Sequence, residues 1–332
     1  MDNLELTIQN GNKLYYPSVL EGVIWELDRV SVPGKLTFDV MADNILNIEE
    51  GNVVRMRFGN INVFYGYVFT IKMNKDGTLK ITAYDQLRYL KDKHSLIYYN
   101  QTATEVIQMI AEQFNLKLGT VDDTGFKIDR RVEDNKELFD IIQIALDKSM
   151  VNTGKLHVLY DDFGKLTLKN IENMWLPLLY DNDAAEDFEY ITSIDTQTYN
   201  RIKVAYDNKE TGKREIYMTE DSENISKWGV LQYYHKVDKP ENAANMAKVL
   251  LELFNKKSKS LSLSNALGDI RVRAGSSFYI KLDIAETPVR KLMVVDKVKH
   301  KFNNGEHFMD LSLRGDIAIK YFTDTNGTVI VG

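Results

Sequence analysis

Apolar and polar residues alternate with a period of two in two long stretches, residues 1–84 and 190–316, and a helical period takes over between them. Successive side chains of a strand point to opposite faces, so each alternating segment reads as a strand with one buried face. In the first stretch this predicts strands over Leu4 to Gln9, within 21–32 around Val23, Trp25 and Leu27, and over Lys35 to Met41, Val53 to Phe58, Asn62 to Met73 and Leu79 to Tyr84. Asn10-Gly11, Pro33-Gly34, Glu50-Gly51 and Asp76-Gly77 supply the turns between them. Gly66 sits inside the longest segment, where a bulge or sharp bend is expected. Short strands separated by turn signals predict a small barrel or a strongly curled sheet.

The period changes at Leu79 to Lys93, LKITAYDQLRYLKDK. Asp85 is placed to cap a short helix that carries Leu87 and Leu90 on one face, and that helix is expected to plug the open end of the sheet and to carry the next domain. Thr102-Ala103-Thr104-Glu105 fits a capping box ahead of the stripe Val106, Ile107, Ile110, Ala111 and Phe114. Asp134 to Glu137 reads as a second acidic cap, ahead of Leu138, Ile141, Ile142, Ala145 and Leu146. A hairpin follows, Lys155 to Tyr160 and Lys165 to Ile171, turned by Asp161-Asp162-Phe163-Gly164. The acidic run Asp181 to Glu189 reads as a linker or exposed entry. Strands return at 201–206, 215–219, 231–237, 260–263, 277–282, 291–300 and 307–314. One helix is expected among them, with Pro240 in its first turn and Ala243, Ala247, Leu250 and Phe254 as its stripe. The predicted fold is mainly β with an α+β insertion. A first β-barrel-like domain spans 1–93, an α+β domain 94–185, a second β-barrel-like domain with one helix 186–316, and a C-terminal tail 317–332. The two β-domains are expected to be separate and related by fold.

The 332 residues are 44% hydrophobic and 27% charged, which suits a globular chain with more than one core. Eighteen tyrosines and fourteen phenylalanines agree with strands. Cysteine is absent, which excludes disulfides, thiolate zinc sites and a cysteine nucleophile. The net charge of −6 argues against a surface that tracks phosphates, so no specific nucleic-acid binding is expected. No apolar run reaches the ~18 residues of a membrane span, and the acidic start MDNLELTIQNG does not read as an export signal.

Candidate chemistry is sparse. A phosphate loop, HExxH, GxSxG and a dinucleotide fingerprint are all absent from the sequence. His300 and His307 flank the turn at Asn303-Asn304-Gly305; they could hold a metal, but an exposed pair without a third ligand reads as polar surface. The pairs Glu49-Glu50, Asp122-Asp123 and Asp161-Asp162 read as solvated turn formers rather than as an acid–base dyad. Glu172 lies near Met174, Trp175 and Leu176, where a docked Trp175 at a strand end is expected over a perturbed carboxyl. Lys256 to Lys259 reads as a solvated helix cap, and Arg314-Gly315-Asp316 as a chance tripeptide. A long chain without a catalytic constellation points to binding or building, with no enzyme activity, metal or cofactor expected.

Five segments carry a resemblance. ITAYDQLRYLKDK at 81–93, TATEVIQMIAEQFNLKLG at 102–119, LFDIIQIALD at 138–147, TGKLHVLYDDFGKLTLKNIENM at 153–174 and ALGDIRVRAGSS at 266–277 resemble, in order, the XkdQ/YqbQ-type proteins. Those belong to prophages and phage-tail-like particles of Gram-positive bacteria and are similar to the baseplate hubs of contractile tails. The resemblance implies a homotrimer in which two related β-barrels per chain build a six-barrel ring. That ring joins the six-fold tail tube above to the three-fold central spike below. It further implies contacts with other baseplate proteins and with the tape-measure protein, assembly in the bacterial cytoplasm, and a final place in a virion, contractile injection system or headless bacteriocin particle. A tail-associated cell-wall hydrolase or peptidase, and a distal tail or tube protein, are the competing readings. The long strands 62–73 and 291–300 are expected to meet neighbouring barrels, which makes Val63, Tyr65, Tyr67, Phe69, Ile71, Met293, Val295 and Lys297 the candidate ring interface.

Overall fold

The computed structural model describes residues 4–317 other than 44, 196, 238–242, 284–287, 304 and 316. The helix start expected at Pro240, Asn304 of the expected turn, Asp316 of the tripeptide and all but Ile317 of the tail lie outside the described residues. The first β-unit holds β1 (Leu4–Asn10), β2 (Lys13–Tyr15), β3 (Val23–Asp28), β4 (Lys35–Met41), β5 (Val53–Phe58), β6 (Ile61–Met73) and β7 (Thr78–Tyr84). A 3₁₀ turn (Gln86–Lys91) leads into the middle unit, with β8 (Lys93–Tyr98), α1 (Ala103–Gln113), β9 (Leu118–Val121), β10 (Arg131–Glu137), α2 (Leu138–Thr153), β11 (His157–Asp161) and β12 (Leu166–Asn170). Next come β13 (Trp175–Tyr180) and β14 (Asp187–Ser193). An excursion follows, made of β15 (Arg201–Asn208), β16 (Lys213–Glu220), α3 (Ser222–Trp228), β17 (Gln232–Val237) and α4 (Ala243–Phe254). The chain returns through β18 (Ser258–Leu267), β19 (Ser277–Leu282), β20 (Val289–Asn303) and β21 (Glu306–Arg314).

The alternating segments form the expected strands because their apolar positions fill two cores. Leu36, Phe38, Val40, Val54, Met56 and Ile81 lie in the first, and Leu261, Leu263, Phe278, Ile280, Met293, Leu311 and Leu313 in the second. The two β-units share one strand order. The first runs β3-β4-β7-β6-β5-β1 and the second β14-β18-β21-β20-β19-β13. Every neighbouring pair in both is antiparallel except β13–β19, which is parallel. Sequence comparison of the halves does not show this repeat, because it resides in pairing and not in residue identity. The β-units were expected to be separate. Instead β3 pairs with β20, and one 13-stranded sheet runs through both.

Several local expectations are corrected. Gly66 pairs regularly with Val54; the extra residues fall at Val63 and Phe69. Its glycine is needed because a Cβ there would collide with the Tyr84 carbonyl oxygen. Asp85 does cap the 3₁₀ turn, with Oδ1 accepting from Leu87 N at 3.0 Å. Leu87 and Leu90 enter the core of the middle unit beside Val106, Ile107, Ile141 and Ile142, so the turn carries that unit as expected but does not plug the first sheet. The capping box of α1 forms as expected. Asp134 to Glu137 instead continue β10, and Glu137 makes no side-chain cap. Buried Glu133 pairs with Arg131 and Lys136, which holds the segment as a strand, while Leu138 N is satisfied by Asp92 O at 3.0 Å.

The acidic run is no loose linker: Ala184 is buried in the second β-core and β14 pairs along β18. Trp175 is not docked but opens β13 with 39% of its surface exposed. The excursion carries a second helix, α3, and a three-stranded sheet of its own, β16-β15-β17, packed on α4 through Ile202, Val204, Ala247 and Leu250.

Candidate functional site at the seams between units

Strand β3 presents Val23 to Asp28 to Phe302 through Lys297 of β20. Apolar side chains at the two ends of this pairing reach different cores, Phe302 the first and Leu27 the second. Beyond Leu27, ion pairs close the pairing: Arg29 Nη2 lies 2.8 Å from Asp296 Oδ1, and Lys297 Nζ lies 2.7 Å from Asp28 Oδ2. Trp25 stacks on His300 at 4.7 Å between ring centroids. His300 is fully buried, with Nε2 2.9 Å from Val272 O and Nδ1 2.9 Å from His307 Nε2. A carbonyl only accepts, so His300 Nε2 donates to it, and Nδ1 accepts from His307. Burial pushes His300 down to about 3, assisted by His307, and burial takes His307 down to about 4 against the pull of Asp269. This pair was expected to be polar surface. His300 is buried because Trp25 of β3, from the other β-unit, stacks on it, a long-range pairing that local sequence does not signal, while His307 is half-buried beside it.

A second seam joins all three units. Asp85 comes from the end of the first β-unit, Asp161 from the end of β11 and Arg273 from the segment between β18 and β19. Asp85 Oδ2 accepts from Gly34 N at 2.9 Å, and Asp161 Oδ1 from Gly164 N at 2.7 Å. Arg273 Nη2 donates to the Asp161 carbonyl at 2.7 Å, and its guanidinium lies 4.0 Å from the Tyr160 ring centroid. Burial raises Asp161 to about 6 and raises Asp85 well above the usual carboxylate range, with Asp161 adding to the latter. The Asp161-Asp162 pair was expected to be solvated. Asp162 is exposed, but Asp161 is buried because its turn is wedged against Tyr65 and Arg273. Among the described residues no group of three or more His, Asp and Glu side chains is placed to hold a metal ion.

The candidate ring residues divide. Val63, Met293 and Val295 are buried in this chain's own cores, at 8%, 0% and 0% exposure, and leave no side-chain surface for a neighbour. Tyr65, Tyr67 and Phe69 are half-buried against the middle unit. Tyr65 meets Phe163 at 5.7 Å between ring centroids and Tyr67 meets Tyr89 at 6.0 Å, while Phe69 lies beneath the Arg88 guanidinium at 5.3 Å. Burial first, and then Tyr65, pushes the Tyr67 phenol up to about 12. Ile71 is half-buried, and Lys297 is exposed beside Asp28. Sequence reasoning missed Trp25 and Arg273 as seam residues. The one signal for Arg273 was its place inside the segment ALGDIRVRAGSS.

This mostly-β architecture is shared with solved phage and prophage tail proteins. The 43 kDa tail protein of prophage MuSo2 from Shewanella oneidensis matches over 93% of this chain and 98% of its own, with a TM-score of 0.69 at 14% identity. The E. coli c3393 protein, a type VI secretion component structurally similar to the T4 tail proteins gp27 and gp5, matches over 98% and 79% with a TM-score of 0.57 at 11% identity. At those identities the likeness is one of fold. The chain belongs to the YQBQ-like family, whose model matches residues 23–314. The phage-like element PBSX protein XkdQ of Bacillus subtilis strain 168 is 30% identical over 308 residues, 89% of this chain and 92% of that protein.

Proposed function

We propose that this chain is the baseplate hub of a contractile phage-like tail, a homotrimeric adaptor between the six-fold tail tube and the three-fold central spike. The observation that carries the reading is the shared strand order of the two β-units. Two equivalent units per chain give three chains six equivalent units, which matches six-fold symmetry above and three-fold symmetry below. The role is structural and not enzymatic: the two perturbed aspartates of the seam are buried between units, against backbone amides and Arg273, and do not line an open cleft. The tube, spike, other baseplate proteins and tape-measure protein are its partners in this reading. Native mass spectrometry of the full chain tests it, with a species of three chains expected. A stable hexamer or a persistent monomer overturns it.

A further inference from the structure

The equivalence of the two β-units extends to single residues. Tyr67 on β6 is the position where β5 gives way to β7, pairing with both Val53 and Tyr84. Val294 on β20 is the same position in the second unit, pairing with Ser277 of β19 and Arg314 of β21. One residue is bulged out at the same distance beyond each, Phe69 and Asp296. Thr70–Met73 of β6 therefore stand where Lys297–His300 of β20 stand. Likewise Tyr190 of β14 stands where Trp25 of β3 stands: Trp25 faces Leu36, which faces Ala83, and Tyr190 faces Leu261, which faces Leu313.

The two halves differ in what lies beside these segments. Lys297–His300 have β21 on one side and β3 on the other. Thr70–Met73 have β7 on one side and, among the described residues, no strand on the other. Strand β14, the counterpart of β3, has β18 on one side and likewise no strand on the other. Both free edges expose apolar side chains, Met73 at 73% and Ile191 at 46%. Free edges of this kind invite pairing with another strand.

We infer that β14 of one copy pairs antiparallel with the second half of β6 in the next copy, repeating between chains the β3–β20 seam made within each chain. This inference rests on the three-chain reading above. Transferring the internal register sets Thr70 opposite the partner's Ser193, Ile71 opposite the partner's Thr192, Lys72 opposite the partner's Ile191 and Met73 opposite the partner's Tyr190. The contact is head-to-tail, so it closes into a ring when the rotation per copy is one third of a turn.

The absence of native cysteine makes the register testable by disulfide trapping in the full chain. Paired positions of antiparallel strands have Cα atoms about 4.5–5.5 Å apart, within disulfide reach, whereas positions two residues out of register are about 7–8 Å apart. Oxidised Lys72→Cys/Ile191→Cys is expected to give covalent species of two and three chains under denaturing conditions, and Lys72→Cys/Glu189→Cys to give far less. A charge test serves if trapping disturbs folding. Ile191→Lys, set against Lys72, is expected to lower the three-chain fraction severalfold, and Lys72→Glu/Ile191→Lys to restore it. A three-chain mass with no cross-link in the first variant, equal cross-linking in both pairs, or no rescue by the charge swap overturns this seam and leaves the hub reading standing. A chain that stays monomeric at every concentration overturns the hub reading itself.

Discussion

His300 is held neutral because both of its ring nitrogens are committed, Nε2 to the Val272 carbonyl and Nδ1 to the His307 ring. A proton on Nδ1 would meet the hydrogen that His307 donates. The folded values near 3 and 4 lie below the ordinary histidine value of about 6.5. From about pH 6.5 down to about 4 the unfolded chain therefore takes up protons that the folded seam refuses, so this pair makes stability fall as pH falls. His300→Phe keeps an aromatic ring against Trp25 but strands the Val272 carbonyl. It should cost about 1–3 kcal/mol at pH 7 and flatten the loss of stability between pH 7 and 5. Urea midpoints at both pH values check this, and an unchanged pH slope would contradict the assignment.

Strands β6 and β20 owe their length to a change of partner midway, from β5 to β7 and from β19 to β21. A strand that serves two neighbours in turn bends a sheet around a core, and the bulges at Phe69 and Asp296 increase the local twist. The β11–β12 turn is an element of another kind. Gly164, at φ +82°, brings it so close to β6 that an added Cβ would stand 2.7 Å from the Tyr65 ring. This packing buries Asp161 and raises it to about 6. A raised carboxyl has the opposite sign to the histidine pair: its contribution is fully present below the unfolded value and is lost as pH rises through about 6. Asp161→Asn removes the buried charge and keeps an acceptor for Gly164 N. Its melting temperature should exceed that of the parent by a few degrees at pH 8, with the difference shrinking toward pH 5. Thermal melts at the two pH values read it, and a variant equally destabilised at both would show that the charge itself is required.

At the scale of the whole molecule, one sheet runs through two cores, and the middle unit is keyed to both ends by Asp85, Asp161 and Arg273. The first β-unit is consequently expected to depend on the rest of the chain. A chain cut after Lys93 would strip β20 from β3 and expose Trp25 and Leu27 along a free strand edge. We expect residues 1–93 alone to aggregate and the full chain to stay soluble, as sedimentation of the two would show. A soluble, monomeric 1–93 would mean that the β3–β20 seam is dispensable.

The sequence by itself determined the local elements. Period-two alternation located most strands of both β-units, though not β2, β13 or β14, and the capping box placed α1, because those signals act over a few residues and depend on which face is buried. It also carried the family resemblance, in order from about Ile81 to Arg314. What it could not specify was every feature that depends on residues far apart in the chain. Asp161 in an acidic turn and His300 beside a polar loop look solvated until β6, Arg273 and β3 close over them. Glu137 looks like a cap until buried Glu133 holds its segment as strand. The matched strand order of the two β-units, and the free edges that differ between them, exist only as hydrogen-bond pairings, which leave side-chain identity almost unconstrained beyond its alternation of apolar and polar.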